Sequence, residues 1–137
     1  MFDRIDHVGI AVAEIEPALE LWRDTMQLDV AHREVVEEQG VEAVLLNVGE
    51  NHIELLAPLG DDTPVGKFLA KRGPGMHHLA YQVADIDATL AALAEAGLPL
   101  LDKQARVGIG GSRVAFLDPK GTGRVLTEIV QPVGDGH

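Results

Sequence analysis

The chain has 137 residues, 46% of them hydrophobic and 24% charged, which suffices for one compact globular domain with its own core. Eleven basic residues against twenty-two acidic ones give a formal charge of −11, which disfavours nucleic acids and anionic membranes as partners. Cysteine is absent, so a disulfide framework and a thiol nucleophile are excluded. No apolar run approaches transmembrane length and no signal-peptide pattern opens the chain, so we expect a cytoplasmic protein.

The first part of the chain predicts a strand, a helix and three more strands. Residues 4–13 form an apolar run typical of a buried strand, and a helix should begin near Glu16. The inward stripe of this helix is predicted to be Ile15, Leu19, Trp22 and Met26. The further strands are predicted near 29–34, 42–48 and 52–56, with a polar turn at 37–40 after the first of them.

The second part repeats this plan after a link, 59–74, that contains a short predicted helix at 65–71. A strand at 76–83 leads into a helix at 85–96, followed by a short apolar piece near 99–101 and strands at 113–117 and 123–130. The glycine-rich loop at 108–112 is not a phosphate-binding loop, because no Gly-Lys-Ser/Thr follows it.

The two halves align residue by residue. Setting His78 on His7 gives an offset of 71 (78 minus 7), and past the second hairpin Glu128 falls on Glu54 at an offset of 74 (128 minus 54). One helix for every four strands predicts an α+β fold, since a doubly wound parallel sheet alternates strands with helices.

The repeat therefore pairs two histidines and two glutamates, all in strands otherwise built from apolar residues. Any one of them alone would be expected on a solvent-facing side, but a carboxylate in mid-strand is costly to bury unless it is paired or bound to a cation. Four such residues at matching places predict two imidazoles and two carboxylates around one centre. That set suits a divalent ion such as Zn²⁺, Co²⁺, Mn²⁺, Ni²⁺ or Fe²⁺ and leaves two octahedral positions open. The four residues are His7, Glu54, His78 and Glu128.

Seven strings surround and connect these residues: Arg4–Val12, Glu38–Val41, Glu54–Pro58, Pro64–Leu69, Gly75–Ala80, Phe116–Lys120 and Gly123–Glu128. Together they resemble the vicinal oxygen chelate superfamily and, within it, the methylmalonyl-CoA epimerases. The resemblance runs from about residue 4 to residue 131.

The resemblance implies two tandem βαβββ modules that form a half-barrel-like sheet around a central metal site. Module 1 would span about 4–58 and module 2 about 75–132, with 59–74 as the linker. It implies a divalent-metal-dependent epimerase that interconverts (R)- and (S)-methylmalonyl-CoA by α-proton abstraction through a metal-stabilised enolate, and by analogy a homodimer.

The same resemblance places metal ligands on His7, Glu54, His78 and Glu128, with Co²⁺ preferred and Zn²⁺, Mn²⁺, Ni²⁺ or Mg²⁺ as alternatives. Glu128 and Glu54 are expected to act as acid and base, although Ala43 leaves the identity of the second group open. Glu42 has the opposite strand parity and should face away.

The other histidines and the cations are expected to lie outside the ligand set. His77 is the weaker candidate of the adjacent pair, because neighbours on a strand point to opposite faces. His32, His52 and His137 match nothing in the repeat and are predicted to lie on the surface. The densest group of cations that could meet the phosphates of an acyl-CoA substrate is at 67–72, but no phosphate ligand is assigned.

Other functions stay open on the same frame. A glyoxalase I-like lyase would share the metal site, and an extradiol dioxygenase would need two histidines, one carboxylate and open positions for oxygen. A non-catalytic member that binds a small molecule would have no metal affinity.

Overall fold

The structure is a computed structural model that describes residues 1–134, so the expectation for His137 lies outside the described residues. One strand, one helix and three strands occur in that order twice, before and after α2, which confirms the predicted α+β class with two tandem βαβββ modules. The helices and strands are β1 (Arg4–Ala11), α1 (Ile15–Leu19), β2 (Val30–Val36), β3 (Val41–Val48), β4 (Asn51–Pro58), α2 (Pro64–Arg72), β5 (Gly75–Gln82), α3 (Ile86–Glu95), β6 (Arg106–Val107), β7 (Arg113–Leu117) and β8 (Thr127–Gln131).

The described chain divides into two compact units. The first is His7–His77, and the second joins Met1–Asp6 to the chain from His78 onward. In the first unit the strand order is β2-β3-β4-β1, with β1 parallel to β4 and the other neighbours antiparallel.

One face of the first unit's sheet packs against α1. Side chains alternate along a strand, so Val44 and Leu46 on β3 and Leu55 on β4 share this face with Ile15 and Leu19 of the helix. The opposite face carries the residues between them, and this is the face on which Glu54 lies.

The helix after β1 departs from the regular pattern that its sequence predicts. α1 gives way at Glu20 to a six-residue π-helical turn, Glu20–Thr25. In this turn the amide of Met26 donates to the carbonyl of Leu21, five residues back, at 2.8 Å. The wider turn rotates the residues that follow it away from the inward-facing side of the helix. Trp22 still packs at the margin of the core, but Met26 is 49% exposed, so its predicted inward position was wrong.

The second unit has the strand order β5-β8-β7-β6, with β5 parallel to β8 and the other pairs antiparallel. Asp85 caps α3 by accepting a hydrogen bond from the amide of Ala88 at 3.1 Å. The helix buries Ile86 and Leu90 against Leu117 and Ile129.

One strand of the second unit begins later than predicted, and one short strand, β6, lies where none was predicted. The apolar piece at 99–101 forms an isolated bridge between Leu100 and Leu117. β8 begins at Thr127 rather than at Gly123. The reason is a turn in which the amide of Arg124, a residue with a positive φ of 70°, donates to the carbonyl of Pro119.

Candidate functional site

His7 and Glu54 come together on neighbouring parallel strands of the first unit. The ladder sets His7 opposite His52 and Gly9 opposite Glu54, so the imidazole and the carboxylate project from the same face two residues apart. His7 Nε2 lies 3.4 Å from Glu54 Oε1. Both residues are buried, with 2% and 6% of their surface exposed.

His78 and Glu128 form the equivalent pair in the second unit. Ala80, two residues after His78, is the partner of Glu128 in the ladder between β5 and β8. His78 Nε2 lies 3.4 Å from Glu128 Oε1, and both residues are buried. The predicted repeat is therefore a repeat of side-chain geometry as well as of sequence.

The geometry of each pair fits two ligands of one metal ion. A direct charge-assisted contact between nitrogen and oxygen is about 2.7–2.9 Å long, which is shorter than either pair. Two ligand atoms that each lie ~2.1 Å from a shared ion are ~3.0 Å apart at the 90° angle of an octahedral site and ~3.4 Å apart at a tetrahedral angle, so the spacing in both pairs is within about 0.4 Å of either geometry. One imidazole and one carboxylate are also ligand types that Zn²⁺ and its transition-metal neighbours accept.

An apolar side chain stands beside each glutamate on the next antiparallel strand. Leu45 is the partner of Glu54, and Phe116 is the partner of Glu128. The edge of the His78 ring also packs against Phe116, with ring centroids 5.4 Å apart and an angle of 86° between the planes. These side chains lower the local dielectric, which strengthens any attraction between a cation and the carboxylates.

Glu42 faces away from Glu54, as its strand parity predicts. Its carboxylate accepts a hydrogen bond of 2.8 Å from Arg33 Nε, and Arg33 Nη1 lies 2.7 Å from Glu16. The hydrogen bond to Glu42, followed by that to Glu16, raises the pKa of Arg33. Glu42 thus ties β3 to β2 and, through Arg33, to α1.

The histidines outside the two pairs have different environments. His32 is exposed and contacts Glu34 at 2.7 Å, as expected of a surface residue. His77 lies in the first unit, with its ring edge-on to Phe68 at 4.9 Å between centroids.

The prediction that His52 is a surface residue was wrong. His52 is 7% exposed, because β4 is flanked by strands on both sides and the register sets His52 opposite His7, on the same face as Glu54. The spacing His52-x-Glu54, which gives both residues one parity, is the sequence signal that could have found it.

None of the helices in the described part of the chain has both the length and the apolar character needed to cross a membrane.

Known proteins match the chain over nearly its whole length. Residues 6–116 match the Glyoxalase/Bleomycin resistance protein/Dioxygenase superfamily. The mitochondrial methylmalonyl-CoA epimerase of Mus musculus is 38% identical over 93% of this chain and 72% of its own length. The ethylmalonyl-CoA/methylmalonyl-CoA epimerase of Cereibacter sphaeroides is 36% identical over 96% of this chain and 99% of its own.

A solved structure supports the same assignment. A methylmalonyl-CoA epimerase in complex with methylmalonyl-CoA and NH4+ is 41% identical and superposes with a TM-score of 0.94, covering 98% of this chain and 97% of the other. These matches confirm the family that the sequence strings predicted. The chain belongs to the methylmalonyl-CoA epimerases, a family of isomerases within the Glyoxalase/Bleomycin resistance protein/Dioxygenase superfamily.

Proposed function

We propose that the chain is a divalent-metal-dependent epimerase that interconverts (R)- and (S)-methylmalonyl-CoA. The observation that carries this proposal is the pair of buried His–Glu contacts, each 3.4 Å long, at equivalent places in the two repeats. The proteins that match the chain nearly end to end and bear the name methylmalonyl-CoA epimerase supply the reaction.

The proposed ligands of the ion are His7, Glu54, His78 and Glu128. Each repeat contributes one imidazole and one carboxylate, and two carboxylates neutralise the charge of a divalent ion. We propose Co²⁺ as the ion, with Zn²⁺, Mn²⁺, Ni²⁺ and Mg²⁺ as alternatives. When bound, the ion supplies Lewis-acid stabilisation of the negative charge that develops on the substrate oxygens.

Glu128 and Glu54 are the proposed acid and base. Inversion at the α-carbon removes a proton from one face and returns a proton to the other, so it needs one group on each side of the substrate. A carboxylate has two oxygens with several lone pairs, so a glutamate can bind a cation and still accept a proton. The roles of the two glutamates exchange with the direction of the reaction.

Leu45 and Phe116 are proposed to keep bulk water from the two glutamates. Each is the ladder partner of one of them, and Leu45 is 5% exposed. Water excluded from the carboxylates cannot compete with the substrate for their protons.

The substrate class is proposed to be an acyl-CoA. The solved relative contains methylmalonyl-CoA, and the name of the Cereibacter sphaeroides relative includes ethylmalonyl-CoA, so both thioesters are the first to assay. A cytoplasmic location and a homodimer remain predictions.

The test is α-proton exchange on methylmalonyl-CoA in deuterium oxide, followed by mass spectrometry. We expect exchange with one equivalent of Co²⁺, loss of exchange in a chelator, and recovery when Co²⁺ is restored. Absence of exchange from the Co²⁺-loaded protein would overturn the proposed reaction. Exchange that survives complete metal removal would overturn the metal dependence.

A further inference from the structure

Helix α2 is a basic surface on an acidic protein. It carries Lys67, Lys71 and Arg72 and no aspartate or glutamate, although the chain has twenty-two acidic residues and only eleven basic ones. All three cations are exposed. Eight basic residues (11 minus 3) remain for the rest of the chain.

The stability of the helix accounts for only part of this arrangement. Lys71 and Arg72 lie in the last turn, where the helix dipole favours cations, but Lys67 does not. Lys67 and Lys71 are four residues apart, so they are neighbours on the helix surface and their like charges repel. Lys67 also lies near the N-terminal end of α2, where the helix dipole disfavours a cation. An anion bound between the two ammonium groups would convert this repulsion into attraction.

The helix is held firmly in place. Thr63 caps it by accepting a hydrogen bond from the amide of Gly66 at 3.1 Å. Gly66 is buried, and a Cβ there would clash with the carbonyl oxygen of Gly60, so α2 packs directly on the backbone that follows β4. A fixed helix presents its charges without a large loss of entropy on binding.

Arg72 is also oriented within this surface. Its guanidinium lies 5.8 Å from the centroid of the Phe68 ring, and Phe68 in turn packs against His77. Stacking on an aromatic ring restricts the guanidinium fork, which is the geometry that recognises a phosphate.

In sequence, α2 lies between two of the proposed ligands. A short segment joins it to β4, which carries Glu54, and Gly73 and Pro74 join it to β5, in which His77 directly precedes His78. Short links thus join α2 to the two strands that carry the proposed ligands Glu54 and His78.

We propose that Lys67, Lys71 and Arg72 bind the phosphate groups of the coenzyme A part of the substrate, an inference that rests on the proposed function. Coenzyme A carries its phosphates at the nucleotide end, away from the thioester. Lysine meets a phosphate as a point charge, and arginine can meet it with two parallel hydrogen bonds.

The test compares a full substrate with a truncated one. The variant combines Lys67→Gln, Lys71→Gln and Arg72→Gln, and the substrates are methylmalonyl-CoA and methylmalonyl-pantetheine, which lacks the nucleotide. We expect KM for methylmalonyl-CoA to rise about 10- to 100-fold with kcat unchanged, because charged hydrogen bonds are lost. Activity on the pantetheine thioester should stay within about twofold of the original, since its contacts are retained.

The matched control combines Lys103→Gln, Lys120→Gln and Arg124→Gln, because all three residues are exposed and lie outside α2. It removes the same number of charges from the protein and should change neither substrate's KM. Equal losses on both substrates in the triple variant, or no loss on either, would overturn the proposal. An equal rise of KM in the control would do the same, since it would reveal an effect of net charge alone.

Calorimetry of the binding of free coenzyme A tests the basic surface independently of catalysis. We expect the affinity to fall in the triple variant and its dependence on salt to weaken. Unchanged affinity would refute the proposal even if epimerisation is confirmed, and lost affinity would support it even if no proton exchange is seen. Dephospho-coenzyme A, which lacks the 3′-phosphate, then identifies the phosphate that is bound. If the original protein binds it more weakly than coenzyme A, the contact is with the 3′-phosphate. If the original protein binds both equally well, the contact is with the pyrophosphate.

Discussion

Glu54 and Glu128 occupy the same place in their ladders. Each is the partner of the residue two positions after a histidine, and each lies 3.4 Å from the Nε2 atom of that histidine. The two repeats have diverged in nearly every other residue of these strands, but this geometry is the same in both.

Glu128→Gln should remove epimerisation while the protein stays folded. The amide has nearly the same size as the carboxylate but cannot accept the α-proton, and loss of a general acid–base typically costs about 10²- to 10⁴-fold in rate. We expect a fall in that range in α-proton exchange, with metal still partly bound. Glu95→Gln, an exposed substitution on α3, is the control and should match the original protein. Full exchange in Glu128→Gln would exclude Glu128 as the acid or base.

His7→Ala and His78→Ala should weaken metal binding to a similar degree. Each removes one buried imidazole from an equivalent pair. Loss of a residue that only holds a metal ligand in position typically lowers the metal affinity about 10- to 100-fold. Loss of the ligand itself should therefore lower the metal affinity at least about 100-fold in each variant. Competition with a chromogenic chelator measures it, and His32→Ala on the surface should have no effect. A normal affinity in either buried variant would remove that histidine from the ligand set.

His52→Ala should destabilise the fold, whereas His32→Ala should not. Truncation of the buried His52 ring leaves a cavity beside His7, at an expected cost of about 2–4 kcal/mol in the free energy of unfolding. An exposed substitution typically changes it by less than ~0.5 kcal/mol. Urea denaturation compares the two, and similar midpoints would mean that His52 is not packed as described.

Gly66→Ala should destabilise the protein, although alanine is the better helix former. Propensity alone predicts a gain of about 1 kcal/mol. The added Cβ would meet the carbonyl oxygens of Gly60 and Asp61, which are backbone atoms and cannot easily move, so we expect a net loss of about 1–3 kcal/mol. A raised melting temperature would show that α2 does not pack closely on this backbone.

Arg113→Gln should raise the pKa of Asp87. Two hydrogen bonds, of 2.8 and 2.9 Å, from the Arg113 guanidinium hold the pKa of that carboxyl below its usual value. A lowered carboxyl pKa stabilises the folded state above the unfolded pKa, and this contribution is lost as the pH falls through the folded value. An NMR titration of Asp87 in both proteins measures the change, and identical titration curves would mean that the pair does not form in solution.

The sequence predicted the two pairs because they depend on a repeat. A shared offset between His7 and His78, and between Glu54 and Glu128, fixes equivalent positions without knowledge of long-range contacts. The features that it missed depend on backbone detail that periodicity does not contain. The π-helical turn turns Met26 outward, a positive φ at Arg124 delays β8, and the position of β4 between two other strands buries His52.

A titration of the metal-free protein with Co²⁺, followed by visible absorption, tests most directly whether both pairs hold one ion. We predict a single break at one Co²⁺ per chain, and loss of that break in both His7→Ala and His78→Ala. A break at two Co²⁺ per chain, or one retained in either variant, would show that each pair binds independently and would contradict the proposed site.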